Sequence, residues 1–153
     1  MKPLLSLVLT ALIGVSAQAE TQAEATLPEA LLPSSEVTDP TDLSQFFWKN
    51  RVLVVFADSP NDPRYMEQLK RLSMRPQDLV DRDVVILLDS DPAAKSALRE
   101  KLRPRGFMLM LLAKDGTVYL RKPLPWTTRE ISRSIDKLPL RQQELRDRPL
   151  NSE

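Results

Sequence analysis

Three short apolar runs constrain this chain more than any other feature: Arg51 to Ala57 (RVLVVFA), Asp83 to Asp89 (DVVILLD) and Phe107 to Ala113 (FMLMLLA). Each has the length of a strand, and none alternates apolar with polar residues. They therefore read as strands covered on both faces, as in the sheets of α/β proteins. The residues between them carry helix signals. After the first run, DSPNDPRYMEQLKRLS offers Ser59 or Asp62 as a cap and Pro60 or Pro63 at the first helical position, with Met66, Leu69 and Leu72 facing inward. After the second, Asp91 and Pro92 start a helix by the same logic, with Ala94, Ala97, Leu98 and Leu102 on one face.

The third run is the most apolar and is expected to be central. Lys114-Asp115-Gly116-Thr117 follows it, and Asp-Gly between two strands predicts a hairpin whose two turn residues take positive φ. Val118 to Lys122 returns. In the last helix Thr127 and Glu130 form a capping box, and Trp126 with Ile131 a hydrophobic staple. Ile131, Ile135 and Leu138 face the core, Pro139 stops the helix, and the polar end RQQELRDRPLNSE is expected to fray. The opening segment LSQFFWKN is apolar enough to pack ahead of the first strand. The sum is an α/β domain with a central mixed four-stranded sheet, in the order strand-helix-strand-helix-strand-strand-helix.

The first 19 residues, MKPLLSLVLTALIGVSAQA, have a basic start at Lys2, an apolar stretch from Leu4 to Val15, and Ala17 and Ala19 in an A-x-A arrangement. This is the pattern of a secretory signal cleaved after Ala19, and the apolar run is shorter than the roughly 20 residues of a spanning helix. The expected product is exported, periplasmic or secreted, without a membrane span after cleavage. Residues 20–42 read as a spacer rich in Pro, Ser and Thr, residues 43–146 as the domain, and 147–153 as a polar tail. Residues 20–45 hold six acidic and no basic residues; from Phe46 onward 21 basic residues face 15 acidic ones, so a −6 arm precedes a +6 body.

The chain contains no Cys and no His. Thiol nucleophiles, disulfides, imidazole bases and zinc sites built on these residues are excluded. No cofactor and no metal site is indicated.

In its order of elements the chain resembles a thioredoxin-like three-layer fold. In thioredoxins the first strand runs into C-x-x-C and a cis-proline precedes the hairpin; here Ser59-Pro60-Asn61-Asp62 and Arg105-Gly106-Phe107 stand in those places. More closely, VLVVFADSPNDPRYMEQ, RDVVILL, GFMLMLLAKDG and KLPLRQQELR, spread over residues 46–146, resemble the DUF4174 family of small exported bacterial proteins. That resemblance implies a fold and a compartment, and no activity.

The same topology would bring Asp58 to Arg64, the loop at Arg103 to Phe107 and the loop at Pro123 to Trp126 to one sheet edge, where ligands favour open α/β sheets. The candidate ligand-binding residues are accordingly Asp58, Asp62, Arg64, Arg105 and Trp126, with the helix start near Asp62 facing an anion. Plainer roles compete: Asp62 as a cap, the arginines as surface charges, Trp126 as a staple. Asp58 and Asp62 could also act as a carboxylate pair. The basic stretch Lys95, Arg99, Lys101, Arg103 and Arg105 has no interleaved aromatics, so it reads as a solvated helix face and not as a nucleic-acid site. The leading expectation is a non-redox, non-catalytic binding module for a protein, a peptide or a small anion. The alternatives are an enzyme of unfamiliar type using Asp58, Asp62 and Arg64, and an envelope-associated structural protein.

Overall fold

The computed structural model describes residues 42–148; the segments expected to be a signal sequence and a spacer before Asp42, and the end of the tail, lie outside the described residues. Strands β1 (Arg51–Phe56), β2 (Val84–Asp89), β3 (Met108–Leu112) and β4 (Val118–Lys122) form one sheet in the order β2-β1-β3-β4. β1 runs parallel to β2, while β3 is antiparallel to both β1 and β4. Helices α1 (Pro63–Met74), α2 (Gln77–Val80), α3 (Ala97–Leu102), α4 (Thr128–Asp136) and α5 (Pro139–Asp147) complete the domain, with 3-10 turns at Leu43–Phe46 and Pro92–Ala94. None of these helices is long and apolar enough to cross a membrane.

The absence of alternation in β1 follows from its position, because both of its faces are covered. Leu53, Val55 and Ala57 point to a core shared with Tyr65, Leu69 and Leu72 of α1 and Ile131 and Ile135 of α4. Val52, Val54 and Phe56 point the other way, to Leu98 and Leu102 of α3 and to Leu43 and Phe46. The result is three layers, helix on sheet on helix. Each such side chain contributes roughly 1.5–3 kcal/mol of burial. β4, an edge strand, is largely exposed and carries Arg121 and Lys122, charges that discourage further strand pairing.

The local signals mostly act as the residues dictate, with four departures. Asp62 caps α1 and Pro63 occupies its first turn, but Tyr65 and Gln68 turn inward in place of Met66, because the buried stripe runs 65-68-69-72 and leaves Met66 at its margin. The helix foreseen from Asp91 is broken: Pro92–Ala94 forms a 3-10 turn, Lys95 takes φ +47°, and Ser96 caps α3 afresh, so Ala94 and Ala97 stay exposed. In the hairpin Gly116 alone takes positive φ (+83°), and Asp115 instead accepts hydrogen bonds from the Thr117 N–H and hydroxyl. Pro139 ends α4 but also begins α5, where its missing N–H is no loss, and the segment expected to fray is helical to Asp147. The capping box of Thr127 and Glu130 forms as foreseen.

Candidate functional site

Phe56 pairs with both Asp89 and Met108, and Leu109 pairs with Lys122. The carboxyl ends of β1, β2 and β4 and the amino end of β3 therefore share one edge, called the upper edge below. The loops after β1 and before β3 meet there: a β-carbon added to Gly106 would lie 3.8 Å from the Asp58 carboxylate, and the Arg64 guanidinium sits 5.7 Å from the centre of the Phe107 ring. Gly106 has φ +59°, a conformation that favours glycine.

Ser59-Pro60-Asn61-Asp62 is a closed turn. The Asp62 N–H donates to the Ser59 carbonyl at 3.1 Å and the Asn61 N–H to the Ser59 hydroxyl at 3.2 Å. Asp62 then accepts the Arg64 N–H at 2.8 Å and pairs with its guanidinium at 3.3 Å. Burial raises the Asp62 pKa, but the hydrogen bonds from the Arg64 side chain and backbone outweigh it and hold the carboxyl below its ordinary range. Asp62 is thus committed to its helix and to Arg64. The Asp58 side chain is 63% exposed, 3.8 Å from Arg99. Arg64 keeps 48% of its side chain in solvent, and Arg105 is exposed with no ion pair among the described residues.

Trp126 is held through its backbone. Gln68, 0% exposed, accepts the Trp126 N–H at 2.8 Å and donates to the Trp126 carbonyl at 2.9 Å, a two-way clamp like a rung of sheet. Arg71 donates to the Pro125 carbonyl at 2.8 Å, and Lys122 lies 4.4 Å over the Trp126 ring. The ring packs against the core as the staple reading requires. Asp58, Arg64 and Arg105 converge on the Gly106–Phe107 turn, Asp62 joins them through Arg64, and Trp126 borders the same edge on the β4 side.

The floor of this edge rests on Arg99, a member of the basic stretch whose sequence predicts a solvated helix face. Its Nε donates to Asp89 Oδ1 at 2.8 Å and one Nη to the Asp89 carbonyl at 3.1 Å and to the Ala57 carbonyl. The guanidinium also lies 5.5 Å from the centre of the Phe56 ring, and Asp89 accepts from the Ser96 hydroxyl. Arg99 and Asp89 are both about nine-tenths buried. They tie the ends of β1 and β2 to α3 and leave Arg64, Arg105 and Lys122 as the cations of the rim.

The opposite, lower edge holds an arrangement that no local pattern of residues predicts. Arg51, 1% exposed, donates to Glu144 of α5 at 3.1 Å and to the Arg82 carbonyl at 3.0 Å. Lys114 reaches Glu144 and Asp83, each at 2.8 Å, and Arg141 reaches Glu144 at 3.2 Å. Burial raises the Glu144 pKa, but hydrogen bonds from Lys114 and Arg51 prevail and bring it down to about 2. Beside this cluster lies a cavity of about 380 Å³ lined by Trp48, Ala113, Tyr119, Leu138 and Leu140, with Lys114 and Arg51 at its wall.

Trp48 is anomalous there. Its N–H donates to the Lys114 carbonyl at 2.7 Å, and its φ is +65°. It terminates the Leu43–Phe46 turn at a position where glycine is the usual residue. A bulky side chain at such φ costs about 1–2 kcal/mol, and the ring, 72% exposed, recovers little of that by burial.

A family model described as a domain of unknown function (DUF4174) matches residues 42–144. No curated protein matches the chain. Among solved structures, the reduced 2-Cys peroxiredoxin of Plasmodium vivax is similar, with a TM-score of 0.53 at 16% identity, over 67% of this chain and 84% of that one. This likeness extends to the thioredoxin-like fold alone: that protein is named for its cysteines, and this chain has none.

Proposed function

The chain belongs to the DUF4174 family, and on that premise we propose that it is an exported, non-redox, thioredoxin-like binding module that receives a carboxylate-bearing peptide or small anion at the upper edge. The observation that carries this reading is that Arg64, its guanidinium 5.7 Å from the centre of the Phe107 ring, and Arg105, the residue before Gly106, both stand exposed at the Gly106–Phe107 turn. Arginine suits this task because its planar fork binds carboxylates and phosphates through paired hydrogen bonds. The Arg99–Asp89 floor and the Gln68 clamp hold the loops, so that little ordering is needed on binding. Carboxylate catalysis at Asp58 and Asp62 is the weaker reading, since Asp62 is already engaged as a cap and with Arg64.

The test is a titration of the isotopically labelled 20–153 chain with a short acidic peptide, followed by the amide resonances of Gly106 and Phe107. Replacing both Arg64 and Arg105 by Ala should weaken binding at least tenfold, from the loss of two charge-assisted contacts. Undiminished binding in the double variant, or shifts confined to other residues, would remove the upper edge from consideration. Export itself is checked by recovering the protein from cells and finding Glu20 at its N-terminus by mass spectrometry.

A further inference from the structure

We infer that the lower-edge cavity is a second docking site, and that its occupant is the chain's own spacer segment Leu27–Leu32. The starting observation is Trp48, held at positive φ with its ring in solvent at the mouth of a 380 Å³ cavity. A strained backbone position that gains no burial points to a role for the side chain it carries. Tyr119 and Leu140 flank the same cavity with partly exposed apolar surface. Exposed apolar side chains gathered around one cavity mark a contact site.

The occupant follows from where the chain enters. The described residues begin at Asp42, six positions before Trp48, and Phe47 abuts Gly116 in the hairpin next to the cavity. The segment ahead of Asp42 is thus tethered near the site. Leu32 stands ten residues before Asp42, a reach of about 35 Å when extended, enough to fold back across the edge. Between Glu20 and Asp42, Leu27, Leu31 and Leu32 with Ala30 are the one cluster of apolar residues, and Pro28 and Pro33 restrict it, which lowers the entropy lost on docking. Docked at the cavity, Glu29 within the cluster would meet a counter-charge in Lys49, exposed beside Trp48. A tethered segment needs little intrinsic affinity, because its effective concentration at the site is high. The surface so defined fits an extended, leucine-bearing, acidic peptide, which the spacer supplies in cis. This inference is independent of the upper edge.

The experiment uses the 20–153 chain labelled with 5-fluorotryptophan, whose two ¹⁹F resonances report Trp48 and Trp126. In the parent chain the solvent-isotope shift of the Trp48 resonance should be well below that of the free amino acid. In the variant with Leu27→Asp, Leu31→Asp and Leu32→Asp it should approach the free value, while the Trp126 resonance stays put and confirms that the domain is folded. Three outcomes overturn the inference. The Trp48 resonance can be indifferent to the spacer substitutions. It can be fully solvent-exposed in the parent chain. It can be protected only at high protein concentration, which assigns the cavity to a second copy.

Discussion

Replacing Glu144 by Gln removes the one carboxylate that three cations share, and the structure sets the size of the effect. Glu144 accepts from Arg51, Lys114 and Arg141, and its pKa falls from an ordinary 4.5 to about 2. At about 1.4 kcal/mol per pH unit that gap is worth at most about 3.4 kcal/mol. The side chain is 23% exposed, so screening reduces the figure to about 2–3 kcal/mol. Arg51 adds to the loss, because its guanidinium, 1% exposed, keeps only neutral acceptors, the Arg82 carbonyl and the substituted amide oxygen, and no counter-charge. For a domain of this size the midpoint of thermal unfolding should fall by about 10–20 °C.

The sign of the pH dependence is fixed by the direction of the shift. A carboxyl whose folded pKa is depressed contributes its stability above the unfolded value, here 4.5, and loses it as pH falls toward about 2. Urea unfolding of parent and Glu144→Gln, followed by far-UV circular dichroism, should therefore give a gap of 2–3 kcal/mol at about pH 7 that narrows steadily below about pH 4.5. A gap below about 0.5 kcal/mol at neutral pH, or one that persists unchanged into acid, would refute the assignment of the network as a structural clamp for α5.

Two further substitutions probe the other elements. Gln68→Leu strips the Trp126 N–H and carbonyl of their partners and should cost about 2–4 kcal/mol in urea unfolding; a cost near that of a surface change would show that water replaces the clamp. Gly116→Ala sets a β-carbon 2.6 Å from the Phe47 ring at a φ of +83° and should cost about 2–3 kcal/mol, measured by thermal unfolding, whereas an unchanged midpoint would mean that the Phe47 ring moves aside freely.

Most of the sheet was legible because β1, β2 and β3 each concentrate their burial in one contiguous apolar run, and Asp62 and Thr127 cap helices through local chemistry. Local rules failed where a tertiary contact overrode them. Tyr65 displaced Met66 because the α1 stripe follows what the sheet and α4 offer, and Lys95 broke a helix that periodicity alone would have continued. Pro139 read as a stop because a proline ends one helix by the same geometry that begins another. α5 has almost no apolar face; only Arg141 of its residues is buried, and its attachment through Glu144 to Arg51 is a contact 93 residues apart that no window of sequence displays.

The two edges differ in the same respect. The upper edge could be assembled from the rule that loops after parallel strands converge, so Asp58, Arg64 and Arg105 were nameable in advance. Arg99 was not, because an arginine on a short basic helix looks solvated until the Asp89 carboxylate and the Ala57 carbonyl are found around it. The lower edge draws Trp48, Arg51, Lys114, Tyr119 and Leu140 from four separate segments, and the Asp115-Gly116 signal among them predicts a hairpin and not a cavity. Its one local signal was a tryptophan at the end of a turn where glycine would ordinarily stand, and that signal is conformational, visible only as a positive φ. The charges of Arg51 and Lys114 there are matched by Glu144 and Asp83, although Arg51 Nε is a buried donor without a partner. An occupant of that cavity is therefore selected chiefly by apolar fit to Trp48, Tyr119 and Leu140, with the exposed Lys49 outside the network left for one acidic residue, and a tethered segment has the further advantage of its high effective concentration.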